Sequence, residues 1–221
     1  MQGLKRISVQ RPRLANEVHA QILRALQNGS IAPTERLHQE RLADMLNVSR
    51  TPVREALLRL EQDGILISTS NGGFELRPIS ESDVADIYKT REAIEGYSAG
   101  LLAEKANPEL IADLRRLVLA QESLKCANTQ EFYDANKTIH RGIVAATGNN
   151  YLLEMFDAMW NRALSVQIFG QMKDRHLALS LTGHIELCDA IESHSFSGAF
   201  DAMRRHIADG FELQVAALNA R

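Results

Sequence analysis

The stretch that constrains this chain most is a pair of short helical periods separated by a tight turn and followed by a glycine-rich hairpin. Gln39–Leu46 reads as a helix of barely two turns, closing at Asn47 with Val48 in the turn. Ser49 stands where an N-cap belongs and Pro52 falls in the first turn, where its missing N–H costs little. Val53, Ala56, Leu57 and Leu60 then give one apolar face up to Asp63-Gly64. Upstream, Leu14, Val18, Ile22, Leu23 and Leu26 recur at helical spacing and stop at Asn28-Gly29-Ser30. Downstream, residues 65–68 and 74–77 flank Thr69-Ser70-Asn71-Gly72-Gly73, a turn rich in residues that tolerate positive φ. Three helices and a hairpin in this order describe a winged helix-turn-helix, whose third helix enters the major groove of DNA.

Charge placement agrees with that reading. Residues 1–80 hold 11 Lys and Arg against 8 Asp and Glu, whereas residues 81–221 hold 14 against 20. A basic module at 1–79 therefore precedes an acidic one at 80–221. Ser49, Arg50, Thr51 and Arg54 cluster at the N-terminal end of the third helix, where backbone N–H groups and the helix dipole also attract phosphate. Arg can bond bidentately to guanine edges, and Ser or Thr suits phosphate or base contacts.

From Ser80 onward the chain shows only helical periods, broken at Asn107-Pro108, Ala127-Asn128-Thr129, Gly148-Asn149-Asn150, Gln171–Asp174 and His194–Gly198. The breaks predict six helices over 81–105, 109–126, 129–146, 150–171, 175–193 and 197–219, in a mostly α fold with an antiparallel bundle. Hydrophobic residues at 45% can build a core. No apolar run approaches the ~20 residues needed to span a bilayer, and the N-terminal stretch lacks the apolar core of a signal peptide, so a cytoplasmic protein without membrane contact is expected. Cys126 and Cys188 are too few for a disulfide framework.

Histidine placement singles out one constellation in the bundle. Asn136 and His140 are four residues apart and share a helix face. His184 and His206 lie equally far from the break at Ser193–Gly198, so an antiparallel hairpin puts them at one level. Three imidazoles and one side-chain oxygen suit a divalent metal, Zn²⁺ or Ni²⁺ first, with positions left open. His176 and His194, near helix ends, are read as ordinary histidines.

The run Arg41-Leu42-Ala43-Asp44-Met45-Leu46-Asn47-Val48-Ser49-Arg50-Thr51-Pro52-Val53-Arg54-Glu55-Ala56-Leu57-Leu58-Arg59-Leu60, continued by Gln62-Asp63-Gly64-Ile65-Leu66, resembles the helix-turn-helix signature of GntR-type bacterial regulators. The resemblance implies recognition-helix contacts from Ser49, Arg50, Thr51 and Arg54, a wing tip at Asn71-Gly72, and phosphate contacts from Arg36 and Arg41. Gln39 and Glu40 depart from the family pattern, which often has Glu at the first and in some relatives a base at the second.

Residues 80–221 resemble the FCD effector domain of the FadR/VanR branch, through Arg91-Glu92-Ala93-Ile94-Glu95, Ile139-His140-Arg141, Thr147-Gly148-Asn149, His184 before Ala190-Ile191, and Met203-Arg204-Arg205-His206-Ile207. That likeness implies a metal held by three His and an Asp, here replaced by Asn136. It also implies a small carboxylate-bearing effector captured by the metal and a nearby Arg, with Arg91 and more weakly Arg162 in that role; the alternative for them is an ion pair within the bundle, such as Arg91 with Glu95 four residues on. A homodimer on a palindromic double-stranded operator, acting as a ligand-responsive repressor, is the expected function. Two alternatives stand beside it: an architectural DNA binder with an unused effector site, and a three-His metallohydrolase for which only Glu186, near His184, offers a general base.

Overall fold

The computed structural model describes residues 11–27, 30–32, 35–70, 72–78, 80–105, 107–160 and 174–219. The chain divides into two compact units, Met1–Pro78 and Ile79–Arg221.

In the first unit, helices α1 (Arg11–Gln27), α2 (Gln39–Leu46) and α3 (Arg50–Gln62) precede strands β1 (Leu66–Ser68) and β2 (Phe74–Leu76). Asn47 ends α2 in the left-handed region at φ 51°, and its N–H and that of Val48 return to carbonyls of the last turn. α1 packs on α3, so Val18 and Ile22 are buried with Val53, Ala56, Leu57 and Leu60. The strands pair antiparallel with Leu66 opposite Leu76 and Ser68 opposite Phe74. Leu37 adds a bridge to Phe74 through bonds of 2.7 and 2.9 Å, which ties the segment before α2 to the wing. Ser49 occupies the N-cap position of α3, but its side chain makes no capping bond.

The second unit begins with α4 (Glu81–Arg91), whose start is closed by a reciprocal capping box between Ser80 and Asp83. The expected helix over 81–105 is not regular: a π-helical segment, Glu92–Gly96, joins α4 to α5 (Tyr97–Lys105). α6 (Pro108–Glu122) opens on an Asn107 cap with Pro at its first turn, and stops four residues before the expected end. α7 (Thr129–Ala146) opens on an Asn128 cap, and α8 covers Asn150–Trp160. The rest of the fourth expected helix lies outside the described residues.

The fifth expected helix, 175–193, is divided into α9 (Asp174–Ser180) and α10 (His184–Glu192). The cause is Gly183, at φ +84°, a backbone conformation no helix interior accommodates. α11 (Phe196–Asn219) returns antiparallel to α10 and packs along α5, the π segment and α4. The approach is close enough that a Cβ on Gly100 would meet the Phe196 ring at 2.6 Å. Val84, Leu102, Val118, Ile139, Ile143, Cys188, Ile191 and Met203 form the centre of the core. No helix among the described residues is long and apolar enough to cross a membrane.

The buried α1–α3 contact predicts where the first unit is vulnerable. Leu57 is fully buried, so Leu57→Ala removes contacts the small core cannot replace and should destabilise that unit by about 2–5 kcal/mol. Chemical denaturation of the wild type and the variant checks it; a change under about 0.5 kcal/mol would contradict the packing described.

Candidate functional site

The first surface is the N-terminal end of α3. Ser49, Arg50, Thr51 and Arg54 are all exposed there, as are Arg36 and Arg41 nearby in sequence. Arg50 Nη1 lies 2.8 Å from Glu40 Oε1, with both side chains about two-thirds exposed (66% and 69%). Gln39 Nε2 donates to the Arg50 carbonyl at 3.0 Å, so the two residues that depart from the family pattern both touch the start of α3. An exposed ion pair of this kind contributes little and can be exchanged for another anion. Arg41 pairs with Glu35 at 3.4 Å. Gly72 takes φ +72° at the exposed wing turn, and Asn71 lies outside the described residues.

The second site is inside the helical unit. The hairpin of α10 and α11 brings the His184 and His206 ring centroids to 4.5 Å, and α7 supplies His140 at 5.1 and 5.3 Å from them. One ring nitrogen from each of the three lies within 4.8 Å of the others. His140 Nε2 and His184 Nε2 are 3.3 Å apart. Two nitrogens bound to one tetrahedral zinc at about 2.0–2.1 Å stand roughly 3.3–3.4 Å from each other.

Two carboxylates set which nitrogen faces inward. His140 Nδ1 lies 2.7 Å from Glu95 Oε2, and His184 Nδ1 lies 2.9 Å from Glu122 Oε1. A neutral imidazole facing a carboxylate through Nδ1 carries its proton there, which leaves Nε2 as a lone pair. This is the outer-shell arrangement typical of metal-binding histidine. Burial also keeps the rings neutral: it pulls His184 and His140 well below the usual imidazole range, in His140 against the opposing pull of Glu95, and lowers His206 to about 3. The donor set therefore fits a divalent ion, with lone pairs available at neutral pH.

Glu122 performs a second task. Gly183 has no side chain with which to cap α10, and the same Glu122 oxygen accepts the His184 backbone N–H at 3.1 Å. One carboxylate from α6 thus caps α10 and orients the ligand at its first residue.

Asn136 is buried on the same face of α7 as His140 and lines the same cavity. Its amide nitrogen donates to the Ser180 carbonyl, so the oxygen is the end available to an ion. Asp134 is exposed and engaged by Gln130, away from the cluster.

Arg91 reaches the cavity, but its charge is already paired. Its Nε donates to Glu95 Oε1 at 3.0 Å, and its Cζ lies 4.7 Å from the Trp160 ring centroid. Burial would raise the Glu95 carboxyl, yet Arg91 and His140 outweigh it and hold it at about 2. Arg91 thus both pairs with Glu95, four residues on, and lines the cavity, with its Nη2 3.3 Å from His140 Nε2. Arg162 lies outside the described residues.

The cavity over the imidazoles measures about 360 Å³, enough for a small organic acid, and Arg205, Glu186 and Asp209 line its exposed side. Glu122, Trp160 and Arg205 are the residues the sequence reading missed. Trp160 Nε1 donates to Glu95 at 3.1 Å and its ring stacks on His140 at 5.9 Å. Arg205 had a visible signal, since it precedes a ligand His on the last helix; Glu122 had none.

Comparison with known proteins matches residues 14–76 to the family of bacterial regulatory proteins called gntR, and residues 86–209 to the FCD domain. The Nta operon transcriptional regulator of Aminobacter aminovorans is 34% identical over 122 residues, covering 55% of this chain and 58% of that one. The transcriptional repressor GlaR of Escherichia coli (strain K12) is 24% identical over 196 residues, 81% of this chain and 86% of its own. The solved structure of E. coli McbR/YncC shares the fold at a TM-score of 0.67 and 22% identity, over 96% of this chain and 99% of that chain. With the FCD match spanning more than half of its length behind a winged helix-turn-helix, the chain belongs to the GntR family of bacterial regulators and is a DNA-binding transcription regulator, not an enzyme.

Proposed function

We propose that this regulator is a homodimeric repressor whose helical domain binds a divalent metal and a small carboxylate-bearing effector, and that effector binding changes its affinity for a palindromic operator. The observation that carries the reading is the convergence of three neutral imidazoles, two with Nδ1 on a carboxylate, beside a cavity sized for a small acid that His140 and His206 line. His140, His184 and His206 would hold the ion with the Asn136 oxygen beside them. When bound, Zn²⁺ or Ni²⁺ would supply a Lewis-acidic centre for a carboxylate. Arg91 and Arg205, both on the cavity wall, are the cations that would meet the carboxylate of a ligand.

On DNA, α3 enters the major groove with Arg50 and Arg54 toward base edges and Ser49 and Thr51 toward phosphate or base. Arg36 and Arg41 contact phosphates, and Asn71-Gly72 form the wing tip. The repressor sign follows relatives such as GlaR, which carry that name. An architectural binder with an idle cavity is disfavoured by the carboxylates that orient His140 and His184, since an unused pocket needs neither.

The operator is first obtained by selecting genomic fragments with the purified protein at physiological salt. Arg50→Ala and Arg54→Ala should each weaken binding to it by about 1–3 kcal/mol with little change on random DNA, while Arg36→Ala and Arg41→Ala should weaken both alike and reduce the salt slope by about 1. Anisotropy titrations across salt concentrations read this, and equal losses on both DNAs for all four variants would overturn the assigned roles.

Zinc titration tests the other half. His140→Ala should abolish zinc binding and the accompanying change in emission of Trp160, the only tryptophan of the chain, and Glu122→Gln should weaken binding about 10–100-fold. Wild-type emission that ignores both zinc and a chelator, with no heat of binding, would remove the metal from the proposal.

A further inference from the structure

The buried cluster has no anion of its own facing the ion position. Arg91 and Glu95 form a pair at 3.0 Å, the other end of the Arg91 guanidinium (Nη2) lies 3.3 Å from His140 Nε2, and His140 and His184 themselves turn lone pairs toward the centre, so the one charge facing it is positive. Glu122, with 21% of its side chain exposed, stands behind His184 on the Nδ1 side. Asn136, 3% exposed, lines the cavity with a neutral amide anchored on Ser180. Glu186 and Asp209 line the same cavity, but both are exposed and their charges are screened by water. A divalent ion among the three imidazoles would thus bring two positive charges into a buried pocket without a negative ligand. Burying charge without compensation is costly, and the missing charge must come from what binds next.

We propose that metal and effector bind this chain as one unit, the effector being an acid that offers the ion two oxygen donors and two negative charges, as a dicarboxylate or a hydroxydicarboxylate does. Three imidazole nitrogens leave a divalent ion short of oxygen donors and of negative charge, and such a dianion would supply both. Asn136 is the specificity-determining residue: a carboxylate there would hold the metal without help, whereas the amide makes metal retention depend on the acid. This inference rests on the metal-and-acid reading above and adds to it a thermodynamic linkage, in which each ligand must raise the affinity of the other by the same factor.

The test is zinc affinity of the full chain, by calorimetry and by Trp160 emission, alone and with oxalate, malate, tartrate or acetate, after correction for zinc bound by each acid in solution. At least one of the three dianions should raise wild-type zinc affinity on the order of tenfold or more, and acetate should not. Asn136→Asp should gain a comparable factor without any acid and lose the enhancement. In that variant the Ser180 carbonyl faces a second acceptor, so its melting temperature is measured with and without zinc. If the variant does not fold, the wild-type comparison decides alone. Zinc that binds equally well with and without every acid overturns the linkage but leaves the metal site standing. Zinc that binds under no condition, in a chain that is folded, overturns the metal reading and this inference together.

Discussion

A carboxylate without solvent exposure has to be surrounded by donors, and the helical domain is arranged around one such group. Glu95 is fully buried, and its ionised form is met by Arg91 from the end of α4, by Trp160 Nε1 from α8 and by His140 Nδ1 from α7. An unpaired charge at that depth would cost several kcal/mol. The three helices must therefore keep their mutual positions for the charge to stay ionised. The π segment that holds Glu95 matters here, since such local widenings recur at functional positions in helices. Arg91 on its N-terminal side and Glu95 within it both turn inward, and the Trp160 indole covers the pair.

That arrangement propagates to the cavity. Because Glu95 faces His140 Nδ1 and keeps the proton on that nitrogen, the opposite nitrogen looks into the cavity, and because Glu122 does the same for His184, the two Nε2 atoms meet at 3.3 Å. The two carboxylates differ in environment. Glu95 is enclosed and balanced by Arg91, while Glu122 sits at the end of α6, partly in solvent, and also closes the start of α10. One ligand is thus oriented by the core and the other by a helix end, and the third, His206, comes from α11, which packs against both α5 and α10.

Much of this was legible beforehand. The first domain is written in local signals: a turn closed by Asn47, a Pro in the first turn of α3, and a hairpin around Gly72-Gly73, each acting within a few residues. The His184–His206 pairing was readable because two helices around a short turn carry equal counts of residues to each level. What failed did so for a local reason too. Gly183 divides the expected helix at 175–193, and the periodicity on either side conceals the interruption because both pieces bury the same kind of face. Ser49 reads as a capping residue yet makes no capping bond.

The sequence by itself determined the helical periods, the turns, the family signature on α3 and the histidines at compatible levels, because those depend on spacing along one or two adjacent elements. Only the tertiary structure decided which charges are already neutralised. Arg50 rests on Glu40, and Glu122 reaches His184 across 62 positions of chain. The physical reason is that periodicity places a side chain on a face, whereas its partner is chosen by which other faces pack there, and no local spacing encodes a meeting between α6 and the first residue of α10.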